Sequence, residues 1–157
     1  MSIQPRVLMV ELVMSADRLI ESARTATTVP GQWPPTIVLG HLCDNDRLNW
    51  SLRIDAMVTA RRTQRPAPHF EWYEPEGDLT QTRYQNHSLD DVAAALMASR
   101  MSLVTQLRQL EPQDWQATAV HDIFGDIELT ELIIRLLAHD EEHRASLVLD
   151  ASLGGNL

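Results

Sequence analysis

The amino-acid sequence predicts an all-α protein that folds as a four-helix bundle. Leucine and alanine are abundant, whereas glycine (6 residues) and aromatic residues (5%) are scarce, and such a composition favours helices over sheets. Four segments also carry apolar residues at helical spacing. A chain of 157 residues can bury a core without disulfides, so we expect residues 1–157 to form a single domain.

The first two helices are predicted from their apolar stripes and from the turn that separates them. The first covers about residues 5–25, and the turn-rich sequence TTVPGQWPP follows it. Two prolines, Pro34 and Pro35, suit the first turn of a helix. The second helix is therefore expected over about residues 36–60, where His41 and Asn45 fall on its otherwise apolar face.

A long connection is predicted between the second and third helices. Helical periodicity fails from residue 61 to residue 87, where prolines, the aromatic run FEWYEP and a mixed polar stretch occur. Compact domains seldom keep so long a loop without a use. We therefore expect this loop to line a substrate pocket.

The third and fourth helices complete the predicted bundle. The third covers about residues 89–110, with Ser88 as its N-cap, and Glu111 and Pro112 end it. An irregular stretch from residue 113 to residue 126 leads into the last helix, expected over about residues 128–149. Bundle cores of this kind are common places for metal sites built from facing helices.

Charge and composition restrict the partners. The 22 acidic residues outnumber the 13 basic residues, all of them arginine, and the formal charge is −9. Such a surface repels phosphate backbones and anionic lipids, so we expect neither nucleic acid nor a membrane as a partner. Because Cys43 is the only cysteine and no apolar run reaches about 18 residues, we expect a cytoplasmic protein.

Three histidines form the candidate functional site. His139 and His143 lie one helical turn apart on the stripe of the last helix that should be apolar, and His41 occupies the equivalent stripe of the second helix. A lone histidine in such a place is more often hydrogen-bonded core, and the pair alone leaves both readings open. The third histidine on a separate helix favours a divalent metal site with room for water or substrate.

Other residues near these histidines carry less weight. Asp44 and Glu142 are candidates for the outer shell of a metal site, although solvated helix positions are the commoner reading for both. HDEEH matches the inverted peptidase motif H-x-x-E-H, but that class needs a further ligand well downstream, and only Asp150 follows as a carboxylate, with no further histidine. Residues 140–142 are expected to form a solvated acidic face with Arg144.

The remaining histidines and the tryptophans are expected to be structural. His69, His87 and His121 fall in predicted loops and should be exposed, with His121 the best candidate for an exception because it lies near the start of the last helix. The scattered tryptophans are interpreted as packing anchors, since they lack a basic groove: Trp33, Trp50, Trp72 and Trp115.

Two segments resemble the DinB-like superfamily. They are GHLCDNDRLNWSLRIDAM, which is similar to the family's second helix, and FGDIELTELIIRLLAHDEEHRASL, which is similar to its fourth helix and the FG-containing lead-in. The resemblance implies a four-helix bundle whose second helix supplies one histidine and whose fourth supplies an H-x-x-x-H pair. It therefore implies a metal triad of His41, His139 and His143.

The resemblance also suggests reactions. Relatives include S-transferases and isomerases that use bacillithiol or mycothiol, so we expect a Zn, Ni, Fe or Mn ion to activate a low-molecular-weight thiol against an electrophile. Two alternatives stay open: a metal-dependent hydrolase that uses bound water, and a non-catalytic metal-binding or stress-related protein. A small-molecule substrate is expected in either enzyme, and apolar helix faces leave room for a homodimer.

Overall fold

Four long helices pack around one another in a computed structural model of the chain, which describes residues 3–154, and the side chains of residues 3–148. The predicted four-helix bundle is confirmed. The first helix, α1, has the predicted bounds. The bundle elements are α1 (Pro5–Thr25), α2 (Pro35–Asn45) continued by α3 (Ser51–Arg62), α5 (Leu89–Arg108) and α6 (Leu129–Gly154).

Local signals place the helix ends. Prolines occupy the first turns of α1 and α2, where a missing N–H costs nothing. The Ser88 hydroxyl accepts a hydrogen bond from the Asp91 backbone N–H at 3.1 Å, so the predicted cap of α5 is confirmed. Helix α6 continues to Gly154, beyond the predicted end near residue 149.

A π-helical turn interrupts the second long helix. Asp46–Trp50 forms this turn between α2 and α3, and the backbone stays helical on both sides. Four residues of an α-helix rotate through about 400°, so positions spaced by four drift sideways by about 40° at each step. The wider turn reduces that drift and keeps His41, Asn45, Asn49 and Arg53 along one cavity wall.

The two predicted loops are partly ordered, which corrects the sequence interpretation. The 61–87 segment contains strand β1 (His69–Phe70) and helix α4 (Gly77–Tyr84). The 113–126 stretch begins in a 3-10 turn, Pro112–Gln116, and continues into a hairpin. Strands β2 (Thr118–His121) and β3 (Gly125–Glu128) are antiparallel, and β1 adds to β2 in parallel.

Two apolar clusters form the core, and a polar layer separates them along the helices. One cluster includes Leu12 of α1 and Leu103 of α5, and the other includes Leu19 and Leu96 of the same helices. Buried polar residues occupy the intervening turns of the bundle helices: Ser15, Asp46, Ser99, Arg100 and Asp140. Within the described part of the chain, none of the helices is long and apolar enough to cross a membrane.

Candidate metal centre

The structure brings the three predicted histidines together. His41 of α2 meets His139 and His143 of α6, and one ring nitrogen from each lies within 4.8 Å of the other two. The Nε2 atoms of His139 and His143 are 3.2 Å apart. The His41 ring centroid lies 5.6 Å from that of His139 and 5.0 Å from that of His143.

This arrangement fits a divalent metal ion. Two imidazole nitrogens bound tetrahedrally at about 2.0–2.1 Å from one ion stand roughly 3.3 Å apart, close to the separation in the α6 pair. Among the described residues, the buried Nδ1 atoms of His41 and His139 have no hydrogen-bond partner. A donor set of three imidazoles accepts Zn, Ni, Fe or Mn.

Burial keeps these imidazoles neutral at physiological pH, which is the form that binds metal. Loss of hydration lowers the pKa of His41 to about 3, and the neighbouring His143 and His139 add to this effect. Burial likewise lowers the pKa of His143 to about 4. The pKa of His139 is also lowered by burial, although Asp140 and Glu142 oppose the shift.

Of the two candidate outer-shell carboxylates, Asp44 is directed elsewhere. Its carboxylate accepts hydrogen bonds from the Tyr84 hydroxyl at 2.6 Å and from the Arg83 guanidinium, and both donors belong to α4. The side chain that contacts the imidazole is instead Asn45, whose Nδ2 lies 3.0 Å from His41 Nε2. Glu142 lines the cavity beside His139.

Asp140 corrects the expectation of a wholly solvated acidic face. It is 1% exposed, and its carboxylate accepts hydrogen bonds from the fully buried Arg100 at 2.7 and 3.2 Å and from Ser15 at 2.7 Å. Arg100 also binds Asp46. Glu141 and Glu142 are exposed as predicted, and Glu141 forms the expected ion pair with Arg144.

A cavity of about 600 Å³ opens beside the triad, which is a usual size for a small-molecule site. The 72–77 segment forms one wall, as expected for the connection after the second helix. Three of the tryptophans line the cavity: Trp33, Trp50 and Trp72. Trp33 and Trp50 also pack against the core as expected, whereas Trp72 is exposed, which corrects the interpretation of all four as packing anchors. Trp115 is buried in the core.

Sequence reasoning missed or underweighted three further lining residues. His121, on β2, is 3% exposed, while His69 and His87 are exposed as expected. Arg53 and Arg135 complete the group. A signal was available for Arg135, which precedes His139 by one helical turn, whereas Arg53 reaches this wall only through the π-helical turn.

Comparisons with known proteins agree with the fold and identify the family. The family profile described as the DinB superfamily matches residues 10–147. The fold is similar to a solved structure from Bacillus subtilis, YfiT, described as a probable metal-dependent hydrolase with an unusual four-helix bundle topology. The two chains are 16% identical, the match covers 97% of this chain and 88% of YfiT, and the TM-score is 0.74. No curated protein matches the chain.

Proposed function

Because the chain belongs to the DinB superfamily, we propose that it is a metal-dependent enzyme whose ion is held by His41, His139 and His143. The observation that carries the proposal is the convergence of three neutral imidazoles, two of which, His41 and His139, line a cavity of about 600 Å³. Three protein ligands leave coordination positions open, as catalytic rather than structural metal sites do. The substrate is a small molecule held in that cavity.

Hydrolysis is the reaction that we assign to this site. A bound ion would supply Lewis-acid activation of a nucleophile at neutral pH. Glu142, on the cavity wall beside His139, takes the proton of the attacking water and returns it to the leaving group. The description of YfiT as a probable metal-dependent hydrolase supports this choice.

The polar and apolar walls have separate roles in the proposed reaction. The Asn45 and Asn49 amides line the cavity next to His41 and offer hydrogen bonds that orient the reacting group. Trp33 and Trp50 exclude bulk water from the cavity, and this strengthens the electrostatic interactions inside it. A second candidate, S-transfer from a low-molecular-weight thiol, is favoured by the volume of the cavity, which can hold a thiol beside an electrophile.

Metal content tests the site directly. We expect near-stoichiometric divalent metal in tag-free protein by plasma mass spectrometry, and loss of that metal in a folded His139→Ala, His143→Ala variant. A His69→Ala, His87→Ala variant is the matched control, because both side chains are exposed, and it should keep the metal. Metal-free protein after reconstitution with several divalent ions would overturn the proposal.

Activity of the metal-loaded protein separates the two reactions. We expect activated esters or amides to be cleaved without added thiol, and Glu142→Gln to lower kcat while metal content is unchanged. Turnover that requires bacillithiol, mycothiol or a simpler thiol would instead identify S-transfer. Failure of both assays across such panels would count against an enzyme of either class.

A further inference from the structure

A cationic group lies in the same cavity as the histidine triad. We propose that Arg53, Arg135 and His121 form an anion-binding pole, and that the substrate is therefore a small amphipathic molecule with a carboxylate or phosphate group. All three side chains line the same cavity as His41 and His139. Calling the ligand a substrate rests on the proposed function, whereas the pole itself does not.

The helices place the two arginines on the cavity wall. Arg135 precedes His139 by one turn of α6, about 6 Å along the axis, and Arg53 follows His41 by about three turns, roughly 18 Å. The π-helical turn keeps Arg53 on the same wall as His41 despite that distance. A molecule bound to Arg135 therefore lies within about one helical turn of His139.

His121, on the small sheet, neighbours the two aromatic rings over which the arginines lie: it stacks on Phe124 at 4.5 Å and pairs with Phe70 of β1. Its Nδ1 accepts hydrogen bonds from the backbone N–H groups of Ile123 at 3.0 Å and Phe124 at 3.4 Å, so the neutral ring carries its proton on Nε2. Burial lowers the pKa of His121, and the positive charges of Arg53 and Arg135 lower it further. Both guanidinium groups therefore favour the neutral form of His121, whose Nε2–H can donate a hydrogen bond.

The positive charge of Arg53 lacks a carboxylate partner among the described residues. Its guanidinium donates a hydrogen bond to the Glu71 carbonyl oxygen and lies 4.8 Å from the centre of the Phe70 ring. Burial lowers the pKa of Arg53, as expected of a partly desolvated charge. A substrate oxyanion would neutralise this charge and accept hydrogen bonds from the remaining N–H groups of the Arg53 guanidinium.

Arg135 is positioned by stacking. Its guanidinium lies 3.9 Å from the centre of the Phe124 ring, and its partner Glu131, at 3.2 Å, is 40% exposed and therefore strongly screened by water. Stacking leaves the N–H groups that do not bind Glu131 available to donate hydrogen bonds, which suits oxyanion recognition.

The rest of the cavity selects an amphipathic anion. Of its two carboxylates, Glu74 accepts a hydrogen bond from Trp72 Nε1 at 2.9 Å, and Glu142 forms no ion pair with an arginine among the described residues. The walls between are largely aromatic, and they include Trp50 and Trp72. A flat apolar body with an anionic end matches this lining.

Calorimetric titration tests the pole without relying on catalysis. The protein is the folded His139→Ala, His143→Ala variant, treated with a chelator so that no metal can bind the anion. The probes are phenylacetate, phenyl phosphate and the neutral isostere phenylacetamide. We expect at least one anion to bind tenfold or more tightly than the amide, and the tighter anion identifies the substrate group.

Substitutions then assign the binding to the proposed residues. Arg53→Met and Arg135→Met should each weaken the anion tenfold or more, and Arg53→Lys should restore part of the loss. Arg18→Met, an exposed position on α1, is the matched control and should bind as the parent does. If neither anion binds more tightly than the amide, or if both methionine variants keep full affinity, the proposed anion-binding pole is wrong.

The outcome is independent of the metal proposal. Arginine-dependent anion binding in a protein that never holds metal would support the pole and reject only the metal-dependent enzyme. Stoichiometric metal without arginine-dependent binding would reject only the pole.

Discussion

Arg100 of α5 and Asp140 of α6 form a buried, doubly hydrogen-bonded ion pair, and Asp140 directly follows His139 in the chain. Their N–O distances are 2.7 and 3.2 Å, and both side chains are almost completely inaccessible to water. Arg100 also donates to the Leu12 carbonyl oxygen and to Asp46. Through Arg100, the turn of α6 next to His139 is therefore hydrogen-bonded to α5, to α1 and to the π-helical turn.

Loss of this pair should be costly. In Asp140→Asn, Arg100 keeps its charge but loses one of its two carboxylates, and we expect the free energy of unfolding to fall by about 3 kcal/mol. Glu141→Gln removes the neighbouring exposed carboxylate and should change it little. Urea denaturation of the two variants makes the comparison, and equal effects would contradict the importance of the buried network.

Gly40 allows α4 to pack against α2. A Cβ atom at this position would overlap the ring of Tyr84. Alanine in place of glycine normally stabilises a helix by about 1 kcal/mol, but here we expect Gly40→Ala to destabilise the protein by about 1–3 kcal/mol. Thermal unfolding in a Tyr84→Ala background provides the check, because the same substitution should become stabilising once the ring is absent.

Asp114 should make stability depend on acid. It accepts hydrogen bonds from Arg62 at 2.6 and 3.1 Å and from the Glu111 backbone N–H at 2.9 Å, and these donors lower its pKa below 3.8. Its stabilising contribution is therefore complete above the ordinary pKa and is lost as the pH falls through the lower folded value.

Asp114→Asn tests this dependence. The variant should unfold at lower urea than the parent at pH 7, and the difference should shrink below about pH 4 as the parent carboxylate becomes protonated. Asp126→Asn, at an exposed position, should follow the parent throughout. A difference that stays constant down to pH 2 would show that the charge of Asp114 is not responsible.

The cap of α5 offers a smaller test. Ser88→Ala removes the acceptor for the Asp91 N–H and should lower the free energy of unfolding by about 1 kcal/mol. Ser102→Ala, at an exposed position inside the same helix, should be neutral or slightly stabilising because alanine is the better helix former. Matching losses in the two variants, measured by chemical denaturation, would argue against the cap.

Sequence patterns were sufficient to predict the bundle and the three histidines of the candidate site. Helical periodicity, the Ser88 cap and the i, i+4 spacing of His139 and His143 are local properties, and they predict which side chains share a face. The apolar stripe around His41 likewise predicted which face of the second helix this histidine occupies.

Only the tertiary structure decided the rest of the site. Strand β1 pairs with β2 across roughly fifty residues of chain, so no local pattern announces His121 as a cavity residue. Asp140 reads as a surface carboxylate until Arg100, forty positions away, is packed against it. Periodicity reports contacts within one element, whereas burial, ion pairing and cavity walls arise where separate elements meet.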